Sequence, residues 1–489
     1  MKRWGGAVQR RWQGLGGIAR DFAVVGGSTA LGQAAILIAA PIVARLYEPK
    51  DFGILAAFAA ILSILVAIAS LRFDLAIPIA SDRAEALHLV LLSNAIAIVA
   101  SVLVAIALLV WGADLAAALG GPELASVLWL LPIALFLACL TQTLASWAVY
   151  TRTFSDLGRM RVVQGVTQAG GQVALGLLRV GPIGLVLGDA ASRFVGAGQL
   201  LRAVLAGLRS TRMSVSQLVG YARARWGFAR VMTGASFLTA LSLQAPFLVI
   251  PAFFDLGSSG QYFLSLRVLA IPASLVVAAV GQVFFGEASH RRIEPERLHE
   301  LTHDAAASLL VFSIPTYGIA LVAGGALIVL VFGAEWQLAG LYAQIMAPSL
   351  IFWTVANPMS SLPLVGRRER ESLLFTAAEL GLKIVALGIG AALHSLTLGI
   401  VILSVTSVMI EAAAMWRFLR IASVSLGSLA RPAGRTILST LPFLVFLLVV
   451  GQILPAALPI AAVIAWLGAF GLSFMNSVEA RSLLSKSYA

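Results

Sequence analysis

Residues 86–112 read ALHLVLLSNAIAIVASVLVAIALLVWG, and no lysine, arginine, aspartate or glutamate interrupts them. At 1.5 Å of rise per residue, an α-helix of this length measures about 40 Å, which exceeds the roughly 30 Å of hydrocarbon in a bilayer. The stretch therefore predicts a helix that crosses a membrane.

Similar apolar segments recur along the whole chain of 489 residues, of which 60% are hydrophobic and only 11% charged. Soluble domains carry about a quarter charged residues, so these proportions predict an all-α integral membrane protein with about 14 transmembrane helices. Tight turns at 181–182 and 451–455 leave twelve helices as the alternative. The predicted spans are 22–46, 53–79, 86–112, 124–151, 162–179, 183–207, 229–254, 259–287, 304–333, 337–365, 371–393, 395–418, 435–451 and 454–476.

The basic residues between these segments predict the orientation of the chain. All but six of the 34 Lys and Arg residues lie in segments that are cytoplasmic when the N-terminus is inside. Positive charge is enriched in cytoplasmic loops, so both termini are predicted to be cytoplasmic. The net charge of +12 is spread over these loops, which argues against nucleic acid as a partner. The six exceptions are Arg45, Lys50 and Arg179 at external ends and Arg193, Arg267 and Lys383 inside helices.

One long polar connection, residues 208–228, divides the chain. It mixes arginines with apolar residues such as Trp226, which predicts an amphipathic helix at an anionic membrane surface. Gly26-Gly-Ser28 and Gly234-Ala-Ser236 indicate a repeat of parallel topology on either side of it. The predicted segments are a basic N-terminus (1–21), a six-helix bundle (22–207), the linker (208–228), a second six-helix bundle (229–421), two additional helices (435–476) and a cytoplasmic tail (477–489).

Two regions resemble a known family. Residues 46–53 read LYEPKDFG and residues 71–77 read LRFDLAI, and both are similar to the helix 1–2 region of Wzx-type polysaccharide or O-antigen flippases. Residues 260–269 (GQYFLSLRVL) and 280–289 (VGQVFFGEAS) are similar to the helix 8 region of the same family. These flippases belong to the multidrug/oligosaccharidyl-lipid/polysaccharide (MOP) exporter superfamily. The motifs usual in its multidrug exporters are not evident.

The resemblance implies two six-helix bundles around a central cavity, with two further C-terminal helices. It implies a flippase of the bacterial cytoplasmic (inner) membrane that moves an undecaprenyl-pyrophosphate-linked oligosaccharide from the inner to the outer leaflet by alternating access. The product would be O-antigen, capsule or exopolysaccharide. The implied partners are the lipid-linked oligosaccharide, membrane lipids and polysaccharide polymerase or export machinery. The implied driving force is a proton or sodium gradient, and no cofactor is implied.

Other functions remain as alternatives. Within the superfamily these are a lipid II flippase and a multidrug exporter. A membrane glycan polymerase or ligase is the alternative of a different class, but such enzymes carry a large external loop that is not predicted here. One cysteine, Cys139, excludes an intrachain disulfide, and five scattered histidines do not favour a metal site. The chain is therefore predicted not to be an enzyme.

Charges inside the predicted helices are the candidate site residues, because each costs at least about 2.5–3.5 kcal/mol to insert. Arg267 has no acid within four residues on its own helix, so its partner is another helix or an anionic group such as pyrophosphate. Asp189 with Arg193, and Glu379 with Lys383, are four residues apart and share a helical face. Each pair either neutralises itself or divides its roles between substrate and coupling ion.

The remaining candidates lie near helix ends or stand alone. Arg72 and Asp74 end the second segment, where Arg72 either reaches lipid headgroups or recruits substrate phosphates. Glu287 ends the eighth segment at the same level, and Glu411 has no cation on its own helical face, which makes it a candidate proton carrier. The predicted head-group binders are thus Arg267, Arg72, Arg193 and Lys383, and the predicted coupling or cavity acids are Asp189, Glu379, Glu411, Asp74 and Glu287.

Overall fold

The computed structural model describes residues 17–210, 214–288, 295–360, 362 and 369–476, although the side chains of 17–25 and 281–288 are among those left outside the description. The described residues form fourteen long helices and no strand, and eleven of the helices are long and apolar enough to cross a membrane. The predicted all-α, multi-pass membrane class is confirmed. The helices are α1 (Gly17–Leu46), α2 (Pro49–Ala69), α3 (Arg83–Ala118), α4 (Leu131–Tyr150), α5 (Phe154–Leu177), α6 (Pro182–Ser210), α7 (Val215–Phe253), α8 (Leu256–Ala288), α9 (Pro295–Phe332), α10 (Gln337–Met359), α11 (Glu369–Ala392), α12 (Leu396–Ile421), α13 (Leu426–Ile453) and α14 (Leu458–Asn476).

Both of the tight turns separate two helices. Between α5 and α6 the chain reverses through Arg179 and Gly181, whose φ angles are 55° and 75°. Between α13 and α14 a 3₁₀ turn, Pro455–Ala457, makes the connection. The described part of the chain therefore has fourteen long helices rather than twelve.

The linker and the end of the second segment differ from their predicted forms. Residues 215–228 are not a separate surface helix but the first turns of α7, since no proline interrupts this part of the linker. Helix α2 ends at Ala69, earlier than predicted. Leu71 and Arg72 then adopt left-handed backbone conformations, and a 3₁₀ helix, Phe73–Ile79, follows. Arg72 and Asp74 thus lie beyond α2 instead of at its end.

The chain forms two compact units. The first contains residues 1–47 and 57–244, and the second contains residues 48–56 and 245–489. Their boundaries lie inside α2 and α7, whereas the sequence placed the division in the linker. The difference arises because α7 continues without a break through that linker.

The first unit is built on two groups of helices. Helix α5 packs between α1 and α6, while α3 packs on α4 and on the 3₁₀ helix Phe73–Ile79. Gly32 of α1 and Gly165 of α5 bring their backbones into direct contact, because a Cβ on either one would collide with the other helix. Trp147, Phe73 and Leu87 are buried in the core beside α3 and α4.

An ion pair attaches the first turns of α7 to α3. Arg225 donates from Nε to Glu85 Oε1 at 2.8 Å and from Nη2 to the Ile79 carbonyl at 3.2 Å. The other Glu85 oxygen accepts from the Ser81 backbone N–H at 2.7 Å. The rings of His88 and Tyr221 lie 5.3 Å apart in the same contact. These bonds explain why the polar linker residues are held against the first unit.

The second unit is centred on α9 and α10. Helix α9 packs on α10, α13 and α14, and α10 also packs on α8 and α12, which in turn packs on α11. The first turn of α2 belongs to this unit: Phe52 lies edge-on to the buried ring of Trp336, with ring centroids 4.9 Å apart. Gly53 and Gly260 bring the first turns of α2 and α8 into backbone contact. Two of the motifs that carry the family resemblance therefore touch each other.

Candidate functional site

Three charged side chains on two adjacent helices form a cluster in the second unit. The Lys383 Nζ lies 2.6 Å from Glu379 Oε1 on α11, and both side chains are largely buried. Glu411 of α12 interacts electrostatically with both of them. Glu411 therefore has a cation nearby, but on the neighbouring helix rather than its own. Two carboxylates and one ammonium leave one negative charge that a proton or a cation can compensate.

Arg267 lies in the middle of α8 with its side chain half-buried. Its guanidinium carbon is 5.8 Å from the centroid of the Phe263 ring, one turn earlier. A cation–π contact of this kind contributes about 1 kcal/mol. The planar guanidinium is suited to a phosphate because it donates parallel hydrogen bonds.

The first unit carries its own charged pair on α6. Arg193 donates to Asp189 from Nε at 3.1 Å and from Nη2 at 3.0 Å, as expected from their spacing. The Arg161 guanidinium of α5 lies close enough to interact electrostatically with Arg193. Two guanidinium groups and one carboxylate leave a net positive charge on this pair of helices.

A stripe of glutamines on α5 is the feature that the sequence interpretation overlooked. Gln164, Gln168 and Gln172 follow one another at four-residue intervals, so they lie along one face of the helix. The signal was present in the sequence, because this spacing is unusual in a helix at membrane depth. Gln172 is buried and donates from Nε2 to the Leu185 carbonyl at 3.1 Å. The Tyr47 hydroxyl donates to the Gln172 carbonyl at 2.9 Å.

Arg72 and Asp74 form a buried contact in the turn after α2. Arg72 Nη2 lies 3.6 Å from Asp74 Oδ2, and the two side chains are only 14% and 3% exposed. The Ser70 hydroxyl donates to Asp74 Oδ1 at 2.8 Å. These bonds stabilise the left-handed turn and give both residues a structural contact within the first unit. A role of Arg72 in substrate recruitment stays a prediction.

Glu287 and the Arg417–Glu371 pair are the remaining charged residues of interest. The side chain of Glu287 lies outside the described residues, so its predicted pairing stays a prediction. Arg417 Nη2 of α12 lies 2.7 Å from Glu371 Oε1 of α11, a pair that sequence spacing did not reveal. Within the described ranges, no group of His, Cys, Asp or Glu side chains is arranged to hold a metal ion.

The many membrane-length helices define a polytopic integral membrane protein. The model of the family described as "Polysaccharide biosynthesis protein" matches residues 42–339, which is more than half of the chain. The protein belongs to this family, and the resemblance to Wzx-type flippases of the MOP superfamily is confirmed.

Known proteins similar to this chain support the same assignment. It is 27% identical over 307 residues to the succinoglycan biosynthesis transport protein ExoT of Rhizobium meliloti (strain 1021), covering 62% of this chain and 60% of that relative. The fold is similar to the lipid II flippase MurJ in an inward closed conformation, with a TM-score of 0.69 at 13% identity over 95% of this chain and 99% of the other. The Vibrio cholerae MATE transporter VcmN in the bent form gives a TM-score of 0.55 at 16% identity, over 84% and 98% of the two chains.

Proposed function

We propose that the protein is a flippase that moves an undecaprenyl-pyrophosphate-linked oligosaccharide from the inner to the outer leaflet for surface polysaccharide synthesis. The observation that carries the proposal is Arg267, a half-buried arginine in the middle of a membrane-length helix and inside the region that matches the polysaccharide family. An arginine suits such a substrate because its planar guanidinium donates parallel hydrogen bonds to a phosphate. The ExoT relative supports a glycan-related substrate, and the MurJ fold supports a lipid-linked one.

The chemistry of such a substrate explains the need for a protein. A pyrophosphate and several sugars cannot enter hydrocarbon without losing the hydrogen bonds that water provides, which costs several kcal/mol for each polar group. Arg267, Arg193 and Lys383 would replace part of that hydration while the polyprenyl tail stays in lipid. Access would alternate between the two leaflets, so that the head group never faces the hydrocarbon.

The acidic cluster would connect transport to an ion gradient. Glu379 pairs with Lys383, and Glu411 interacts electrostatically with both, so gain or loss of a single proton or cation changes the charge of the cluster. Such a change alters the electrostatic free energy of helices α11 and α12. We therefore assign coupling to Glu379 and Glu411, and head-group binding to the arginines and Lys383.

The proposed activity is tested in proteoliposomes that contain labelled undecaprenyl-pyrophosphate-linked oligosaccharide. A flippase should make the sugar accessible to a lectin on the opposite side, and protein-free liposomes should not. Lipid II and a cationic dye are the matched alternative substrates. Transport of lipid II or of the dye, with no movement of the oligosaccharide lipid, would reject the proposal in favour of the corresponding function.

The same assay tests coupling. An imposed proton or sodium gradient should accelerate flipping by the unmodified protein, and Glu411→Gln should remove that response because the amide cannot change its charge. Equal stimulation of the variant and the unmodified protein would remove Glu411 from the coupling mechanism.

We also propose that both termini face the cytoplasm of a bacterial cell. The proposal rests on the distribution of lysine and arginine between the helices. A green fluorescent protein fused to the C-terminus should fluoresce, and an alkaline phosphatase fused at the same residue should be inactive. The reverse pattern would place the C-terminus outside and invert the topology.

A further inference from the structure

The glutamine stripe of α5 faces α6 across an unusually close contact. A Cβ at Gly196 would collide with the Gln164 side chain, and a Cβ at Gly188 would collide with the Gln172 side chain. Glycine at these two positions of α6 therefore makes room for the amides of α5. Gly188 also lies beside the carbonyl of Gln168, the middle residue of the stripe.

The three amides differ in what they bind within the protein. Gln172 is satisfied by α6, since it donates to the Leu185 carbonyl. Gln164 has a single long contact, 3.5 Å from its Oε1 to Arg161 Nη1. The Gln168 amide makes no hydrogen bond with the part of the chain that the structure describes, although its side chain is half-buried. Its donors and acceptor therefore require water or a polar ligand.

The position of Gln168 within the predicted span 162–179 makes that requirement strong. The residue lies about 20 Å from the first residue of α5 and about 14 Å from the last, at 1.5 Å per residue. An amide that faced hydrocarbon at this depth would cost several kcal/mol. Gln168 therefore faces a hydrated surface rather than lipid.

The hydrogen-bonding groups of the stripe suit the hydroxyls of sugars. Arg193 is held by Asp189 through two hydrogen bonds to one carboxylate oxygen, which reduces its attraction for another anion. An amide both donates and accepts hydrogen bonds, as a sugar hydroxyl does. Amides at four-residue intervals provide successive pairs of donors and acceptors about 6 Å apart along the helix, and such a row can contact more than one sugar.

We propose that the face of α5 and α6 formed by Gln164, Gln168 and the Asp189–Arg193 pair binds the sugar hydroxyls of the transported glycan, with Gln168 as the central residue. The inference rests on the proposed flippase function and assigns the glycan to the first unit.

Thiol accessibility tests whether the face is hydrated and occupied. In a Cys139→Ala background, Gln168→Cys is compared with Val166→Cys, which lies on the opposite side of α5 and is 54% exposed. A negatively charged, membrane-impermeant thiosulfonate should modify the 168 variant at least tenfold faster, because a thiol in lipid does not ionise. Modification should slow at least fivefold in membranes from cells that make the lipid-linked glycan, compared with cells blocked at the first sugar transfer. Equal rates at 166 and 168, or no protection by the glycan, would overturn the proposal.

Binding measurements distinguish failure of this inference from failure of the flippase function. The probes are undecaprenyl pyrophosphate and the lipid-linked oligosaccharide extracted from cells that lack this protein. Gln168→Leu should weaken binding of the glycosylated lipid about tenfold, the loss of one or two hydrogen bonds, and leave binding of the bare lipid unchanged. Val166→Leu should change neither. If Gln168→Leu and the unmodified protein bind both probes with equal affinity, the sugar site alone is refuted. If the unmodified protein binds neither lipid, the flippase function is refuted.

Discussion

Replacement of Arg267 by alanine is expected to abolish export of the glycan and to leave its lipid-linked precursor on the inner leaflet. A bidentate arginine–phosphate contact contributes two charge-assisted hydrogen bonds, together about 3 kcal/mol or more. Its loss corresponds to at least a 100-fold weaker affinity for undecaprenyl pyrophosphate. Arg267→Lys should recover only part of this affinity, because an ammonium group keeps the charge and lacks the planar pair of donors.

The variant is informative because it should fold. Removing a charge from the middle of a membrane helix makes insertion more favourable, so the amount of Arg267→Ala in the membrane should equal that of the unmodified protein. Arg420→Ala is the matched control, since Arg420 also lies over an aromatic ring, that of Trp416 at 5.0 Å, but near the last turn of α12. Precursor accumulation is measured by the accessibility of the lipid-linked sugar to a lectin in oriented vesicles. Normal export by Arg267→Ala would remove this residue from the mechanism.

Replacement of Gly260 by alanine is expected to destabilise the second unit strongly, although it adds only one methyl group. The added Cβ would collide with the Pro49 carbonyl and the Gly53 amide, which are backbone atoms of α2 and cannot rotate away. The two helices would have to separate, at a cost of about 3 kcal/mol. Gly53→Ala should have a similar effect, because its Cβ would collide with the Leu256 carbonyl of α8.

The quantity measured is the apparent melting temperature in detergent. It is obtained from the loss of the monodisperse peak in size-exclusion chromatography after heating. We expect Gly260→Ala to lower it by about 5 °C or more. Gly388→Ala on α11 is the control, since a Cβ there meets no atom within 4 Å. Alanine at that position should be neutral or slightly stabilising, by about 0.5–1 kcal/mol. Equal melting temperatures for the two variants would show that α2 and α8 are not in backbone contact at Gly260.

The close contact also explains the family resemblance in physical terms. The motifs at residues 46–53 and 260–269 are far apart in the chain, and the sequence alone did not relate them. In the structure, Gly53 and Gly260 allow the backbones of the two motifs to touch, while Tyr47 hydrogen-bonds to α5 in the first unit. Gly53 and Tyr47 of the first motif therefore have packing roles. Gly260 of the second motif has the same kind of role.

Local patterns determined the helices and two of the ion pairs. Hydropathy along residues such as 86–112 predicted the spans, because every backbone group in lipid must be satisfied within its own helix. The four-residue spacing of Asp189 with Arg193, and of Glu379 with Lys383, predicted pairs that the structure contains at 3.0 Å and 2.6 Å. Both predictions depend only on the geometry of one helix, which is the same wherever that helix lies.

The sequence by itself thus determined the membrane class, a helix count of about fourteen with twelve as the alternative, and the residues whose charge requires an explanation. Only the tertiary structure decided which helices bring those charges together: Glu411 interacts with Lys383, and Arg417 lies beside Glu371. It also placed the uncharged Gln168 beside α6. It also decided that the linker continues α7 and that Arg72 is buried against Asp74. The physical reason is that hydropathy and helical periodicity act between residues a few positions apart. Contacts between helices depend on packing among residues that are tens to hundreds of positions apart, and no local pattern encodes that packing.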